Sequence, residues 1–407
     1  MRYNRKTIVF VALLHTFALS AQSTEVLETS SGSRGVQEAI LDSIEANNTT
    51  LIALRAEAEA RKLNNRTGIT LDDPEVGYKR MWEGAEQTGN LTELTIGQSF
   101  DLSTLLGHKS RVANSKNRLI DVEYRTVRMN ILLEAHLLYI DKVYYQALSN
   151  ELGRRLTHAR QVMEVEKRRL DAGDTDALSY NNVWLSFSAL DAEKVRVDTE
   201  LSVLGAELAR LNGGKSLSMI SEGYAPVAPI GDFDSWYSEA LASSPELALA
   251  REGREVAKSE LTLSKSKHLP TLSATYINER HTIGDRSQGV AVGVSLPLWA
   301  NKNSVRTARA TLQAAEAYEA DAEQQLKSRL HIGYERVKGL QQTAALYRRA
   351  LDEANNTELL KQAMEEGYIS VLEYLQGIEL YYDYLDRSLS AERDYRRALA
   401  ELEAWKL

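Results

Sequence analysis

The sequence predicts a mixed, mainly α fold built from two internal repeats, each joining a very long coiled-coil helical hairpin to a short pair of β-strands. Three observations predict it. The chain matches itself at a shift of 196 residues, the stretches 103–170 and 302–366 are rich in strong helix formers, and four short segments alternate with period two. With 43% hydrophobic and 26% charged residues among its 407, the chain can bury a large core, which excludes wholesale disorder.

At the N-terminus, Arg2, Arg5 and Lys6 precede an apolar run from Ile8 to Leu19 and then the small residues Ser20 and Ala21. This is the pattern of an export signal, expected to occupy residues 1–21. The run is short for a membrane helix, and no later run approaches the roughly 18 apolar residues that such a helix needs. The chain lacks cysteine, so it has no disulfide, thiolate metal ligand, thiol nucleophile or acylated N-terminal cysteine. Any attachment to a membrane must then come from the fold.

The first repeat is expected over residues 22–211 and the second over 234–407. Leu51, Arg55, Lys62 and Pro74 return as Leu247, Arg251, Lys258 and Pro270, and Gly97, Ser99 and Leu102 return as Gly293, Ser295 and Leu298. Further on the shift becomes 194, where Gly173, Leu178 and Tyr180 return as Gly367, Leu372 and Tyr374. One small deletion accounts for the change. Between the repeats, residues 212–233 carry Gly213, Gly214, Pro226, Pro229 and Gly231 and read as a linker.

Each repeat then reads as a helix, two strands, a long helix, a turn and a returning helix. Prolines respect this order: Pro74 and Pro270 open strands, Pro297 closes one, and Pro245 follows Ser244 as a first helical residue after an N-cap. The long helices, 103–170 and 302–366, would each extend on the order of 95 to 100 Å and need partners along their length. Gly173 and Gly367 mark the hairpin tips, and the returning helices span about 176–211 and 370–405.

The strands are expected near 74–82, 93–102, 270–278 and 289–298. Their even positions are apolar: Leu94, Ile96, Phe100 and Leu102 in the second, and Val290, Val292, Val294, Leu296 and Leu298 in the fourth. Val76, Tyr78, Leu272, Ala274 and Tyr276 continue the pattern in the first and third, with Arg80 and Asn278 as exceptions. The odd positions are small or polar. A soluble sheet packed on a helix has the same alternation, but an exported chain with such long helices offers no other layer to cover the apolar faces. Length and dyad pattern fit a transmembrane β-barrel. Four strands cannot close on themselves, and open edges cannot face lipid, so the barrel must be shared between chains. Counting alone permits several multiples. Trp82 and Trp299 fall at strand ends, where interface aromatics belong.

Together the repeat, the segment from Gly293 to Trp299, the Ala-rich helix from Val305 and the segment from Glu366 to Glu373 resemble the TolC family of outer-membrane efflux proteins, in particular its CusC/CzcC-like branch. The resemblance covers nearly the whole mature chain and rests on the order of elements. It implies a homotrimer with a shared 12-stranded β-barrel in outer-membrane lipid and an α-helical barrel reaching into the periplasm. It also implies a periplasmic adaptor (membrane fusion) protein and an inner-membrane RND-type pump as partners. Acidic residues just after the second tip form a constriction in that family. The matching positions here are Glu373 and Gln376, and the loss of the acid at Gln376 weakens an expectation of blockage by divalent cations. Asp174 and Asp176 at the first tip are further candidates for gating or adaptor contact. Like carboxylates around a threefold axis would repel, attract cations and raise one another's pKa.

No catalytic constellation, cofactor motif or resident metal site emerges. Leu211 to Ser216 ends like a phosphate loop, but Ala209 stands where the first glycine is required. Nucleic acid is disfavoured by a formal net charge of −8. Remaining alternatives are a soluble periplasmic coiled-coil scaffold and the outer-membrane channel of a type I protein secretion system. A periplasmic adaptor is disfavoured because the chain has two equivalent hairpins.

Overall fold

The computed structural model describes residues 31–82, 90–217, 223–227, 231–282, 286–354 and 356–407. The expected signal peptide, 1–21, and Pro229 of the linker lie outside the described residues. Helices dominate. The order is α1 (Ser31–Asn47), α2 (Thr49–Asn65), β1 (Glu75–Met81), β2 (Leu91–Asp101), α3 (Leu102–Leu105), α4 (His108–Ala172) and α5 (Ala177–Leu211). The second half continues with α6 (Phe233–Ser243), α7 (Pro245–Ser266), β3 (Thr271–His281), β4 (Arg286–Ser295), α8 (Ser304–Glu353), α9 (Thr357–Glu365) and α10 (Val371–Leu402).

The leading helix of each half is two helices, and the break has one cause in both. Asn48 and Ser244, 196 residues apart, are extended N-caps that accept from the Leu51 and Leu247 amides at 3.0 and 3.4 Å. Asn48 also donates to the Leu211 carbonyl at 2.8 Å, tying the end of α5 to the bend.

The long helices differ from expectation. In the first half α4 starts at His108, because Gly107 adopts a left-handed φ of 71° after the short α3. Its 65 residues extend about 98 Å. In the second half the expected helix over 302–366 is interrupted: α8 stops at Glu353 and α9 begins at Thr357. The sequence there, Asn355-Asn356-Thr357, combines residues whose side chains compete for backbone hydrogen bonds.

The four strands form one antiparallel sheet in the order β1-β2-β3-β4, so the hairpins of the two halves join through β2 and β3. Every registered pair on all three seams has equal parity, for example Val76 with Ile96, Ile96 with Tyr276, and Tyr276 with Val290. Even-numbered residues therefore share one face across all four strands. Two strand ends differ from the sequence pattern. Leu102 leaves β2 because Asp101 caps α3, accepting from the Ser103 amide at 2.9 Å. Leu296 and Leu298 lie past the end of β4: Pro297 has no N–H to give the ladder, and the Leu298 amide turns back onto the Leu296 carbonyl at 2.9 Å.

Within the chain α4 packs on α5, α8 on α10, and α7 lies against both α4 and α8. Buried apolar residues gather in separate clusters: Ile44, Leu132, Tyr139 and Leu208 near the bend of the first half, and Trp236, Leu247, Leu330 and Leu399 in the second. A third, of Val162, Val183, Tyr374 and Ile378, joins the two hairpins near their tips. Not every apolar stripe is covered. Tyr318, Ile332 and Leu346 of α8 recur every 14 residues, two heptads, and remain 72%, 68% and 64% exposed. Helices of this length with an open heptad stripe lack part of their packing layer.

Candidate functional site: helix tips and sheet face

The two tips are built alike. At the first, Gly173 has φ of 82° and the Asp174 amide returns to the Arg169 carbonyl at 2.8 Å; at the second, Gly367 has φ of 78° and the Tyr368 amide returns to Ala363 at 2.8 Å. Both are glycine-terminated helix ends in which the left-handed residue lets the chain reverse. The returning helices then open on caps at equivalent positions, Asp176 and Ser370.

The caps decide what the candidate gate carboxylates do. Asp176 accepts from the Ser179 amide at 2.7 Å, which holds its carboxyl below the usual range. Glu373 is the third residue of a capping box: its carboxylate accepts from the Ser370 amide and hydroxyl, both at 2.8 Å, while its amide donates to the Ser370 hydroxyl at 3.2 Å. That amide bond first, and the hydroxyl second, hold the Glu373 carboxyl below its usual range. The raised pKa expected from a ring of like carboxylates is opposed by this bonding within the single chain. Gln376 lies one turn along α10 on the same exposed face as Glu373, and Asp174 is exposed at the first tip.

Behind the tips lies a buried polar network that the sequence did not disclose. Arg155 of α4 is 3% exposed and makes a two-pronged ion pair with Asp386 of α10 at 2.7 and 3.0 Å. Its Nε donates to Glu151 at 3.1 Å, and its guanidinium lies 4.2 Å from the ring centre of Tyr382. Three turns nearer the tip, Tyr374, 1% exposed, hydrogen-bonds His158 of α4. Burial lowers the His158 pKa, reinforced by Lys361, so its ring favours the neutral form. Arg155, His158, Tyr374, Tyr382 and Asp386 line a cleft of about 420 Å³ between the hairpins. Residues 155 and 386 are 231 positions apart, and no spacing rule could have paired them.

At the other end, the even face of the sheet presents Val76, Leu94, Ile96, Leu272, Tyr276, Val290, Val292 and Val294 to the outside, all exposed. Phe100 shares the face but is half-buried, and Leu296, although 60% exposed, extends the patch only from beyond the strand. The odd face carries Gly77, Thr95, Gly97, Ser99, Ser273, Thr275 and Gly293. Among the described residues no helix is long and apolar enough to cross a membrane, and no group of three or more His, Cys, Asp or Glu could hold a metal ion.

Residues 236–405 match the family model of the outer membrane efflux proteins. The fold agrees over nearly the whole chain: VceC of Vibrio cholerae, an outer membrane protein, superposes with a TM-score of 0.75 over 92% of this chain and 97% of its own, at 14% identity. The chain's second half, residues 236–405, therefore matches the outer membrane efflux family, and the whole chain shares the fold of VceC. CusC, whose structures describe transmembrane channel formation, shares this family's fold with a TM-score of 0.69 over 91% of both chains, again at 14% identity. Among curated relatives, the alkaline protease secretion protein AprF of Pseudomonas aeruginosa is 21% identical over 261 residues, 60% of this chain. The chain spans about half of that relative, 54% of its length.

Proposed function

We propose that the protein is the outer-membrane exit duct of a three-part efflux system, passively conducting what an inner-membrane RND-type pump and a periplasmic adaptor deliver. Three copies would pool their strands into a closed twelve-stranded barrel and cover the open stripe of α8 with one another. The observation that carries this is the sheet itself. Among the described residues its β1 and β4 edges are unpaired, its even face is mainly apolar, and lipid tolerates no open edge. The duct supplies passage and a gate, and the partner pump supplies the energy, so no catalytic step or cofactor is needed.

Gating falls to the tips. Gly173 and Gly367 let the chain turn, Asp174, Asp176, Glu373 and Gln376 would line the periplasmic entrance, and the Arg155–Asp386 and His158–Tyr374 links hold the second hairpin against α4. The test is to purify the mature protein from the outer-membrane fraction, measure its mass and record it in planar bilayers. Detergent-dependent trimers with discrete conductance steps are expected. A water-soluble monomer without pores would end the proposal.

The likeness to AprF favours a second reading, a duct for an exported polypeptide. A deletion strain separates them, because loss of metal or drug tolerance points to a small-molecule pump and loss of a secreted protein to the other.

A further inference from the structure

The even face is apolar for most of its height, but not at its far rim. Arg80 of β1 stands opposite Thr92 of β2, Thr92 opposite Arg280 of β3, and Arg280 opposite Arg286 of β4. Three guanidiniums therefore share one row that crosses the whole sheet, and all three residues are exposed. Like charges directly opposite each other weaken a strand pair, so this arrangement needs an anion to offset it.

Among the described residues of the four strands, none on the same face supplies one. Among the described residues of the four strands every carboxylate, Glu75, Glu93, Asp101 and Glu279, is odd-numbered and lies on the other face, where Lys79 meets Glu93 at 3.7 Å. The row also sits at a defined height. Next to it come Tyr78, Leu94, Asn278 and Gln288, a row of mixed polarity, and only then the apolar rows. Asn278 accepts from Arg286 at 3.4 Å, and Arg80 lies 5.7 Å from the ring centre of Trp82, an aromatic 74% exposed at the end of the same strand. From Thr92 to Phe100 β2 rises roughly 27 Å, or about 20 Å across a barrel once the usual strand tilt is allowed for. The opposite limit of the band carries Trp299, 82% exposed, on the side where the helices begin.

Resting on the proposed membrane placement, we infer that Arg80, Arg280 and Arg286 form a belt that binds the phosphate groups of the outer-leaflet glycolipid. The row lies at the rim remote from the periplasmic helices, level with the outer headgroups. Guanidinium is suited to phosphate because its planar fork donates two parallel hydrogen bonds and stays charged. In a trimer nine arginines would ring the barrel, three per chain. The lipid phosphates remove the repulsion between Arg280 and Arg286, so bound lipid should also stabilise the sheet.

The test uses the full-length oligomer in nanodiscs made with diphosphorylated lipid A, dephosphorylated lipid A, or phosphatidylethanolamine alone. Retained lipid is counted by native mass spectrometry. Diphosphorylated lipid A is expected to be retained at least about tenfold more strongly than its dephosphorylated form, and the preference should fade as salt rises. The triple variant R80Q/R280Q/R286Q should lose that preference while keeping its oligomer mass and conductance. K79Q, on the opposite face, should keep it. Equal retention of the two lipid A forms by the wild-type protein overturns the inference whether or not the variant folds. Inorganic phosphate that competes at millimolar concentration would point to a free-anion site and would overturn it too. Absence of oligomers and pores in the wild-type protein would instead condemn the duct reading, so the two failures are distinguishable.

Discussion

The two hairpin tips share a turn but not a support. At the first, α4 runs unbroken to Gly173 and the returning α5 opens on the carboxylate cap of Asp176. At the second, the approach is cut between Glu353 and Thr357, so that α9, only 9 residues long, carries the turn into the capping box of Ser370 and Glu373. The residue after each third helical position also differs in environment: Tyr180 is half-buried with Lys167 near its ring at 5.6 Å, whereas Tyr374 is fully buried against His158. A hairpin with a severed approach depends on side chains for its position. If the tips gate as proposed, the second tip is the part expected to move, with the contacts between α4 and α10 as its latch.

The largest way to break this asymmetry is to remove the partner of a buried cation. Asp386→Ala leaves Arg155 with Glu151 and the Tyr382 ring in a site that is 3% exposed, and should cost about 2 to 3 kcal/mol in unfolding of the second hairpin. Arg155→Met should cost less, because Asp386 is 42% exposed and can return to water. The order of the two variants in denaturant melts, and a raised conductance for both in bilayers, check the latch. Tyr374→Phe should follow at about 1 to 2 kcal/mol, since it strands a half-buried imidazole. Tyr180→Phe at the first tip should be near neutral, and equal losses from the two would erase the comparison.

Mild acid, in the histidine range, should act on one tip only. The His158 pKa is lowered in the folded chain, first by burial and then by Lys361, against the smaller opposing pull of Glu358 and Glu365. A lowered folded pKa means that the unfolded state binds the proton first. Stability is thus full above the ordinary histidine value of about 6.5 and is lost as pH falls below it. Conductance events should rise as pH falls below about 6.5, and His158→Gln should flatten that rise. A pH profile unchanged by His158→Gln would remove this histidine from the latch.

Much of this was legible, and the gaps have physical causes. Period-two alternation assigned Leu94, Ile96, Val290, Val292 and Val294 to one face, because side-chain parity is a local property of a strand. The same pattern overran at Leu296, since alternation is blind to the turn that Pro297 imposes. Glycine spacing marked Gly173 and Gly367, whose left-handed φ few other residues tolerate. The break at residues 354–356 went unnoticed because charged, Ala-rich flanks outweigh a short polar stretch in any propensity sum. Arg155, Asp386, His158 and Tyr374 could not be joined from sequence, as packing of α4 on α10 decides their meeting. The arginine row escaped for a related reason. Arg80 was visible as an exception, but Arg280 and Arg286 lie beyond the expected strand ends at 278 and 289, and only the register aligns them.

The smallest expected effect concerns the caps, and it separates a structural role for Glu373 from a gating one. Asp176→Ala should weaken the first returning helix modestly, because the Ser179 amide loses its cap. Ser370→Ala should cost slightly more, because the capping box satisfies donors at both its ends. Glu373→Gln is the informative change: an amide oxygen can still accept from the Ser370 amide, so the box survives while the charge disappears. If the carboxylate acts only as a cap, Glu373→Gln should leave conductance and cation preference as they are, and Glu373→Ala should loosen the tip. If its charge faces the entrance as proposed, both variants should raise conductance and reduce cation preference. The Gln variant therefore isolates charge from helix capping, and bilayer recordings at a fixed salt concentration decide between the two.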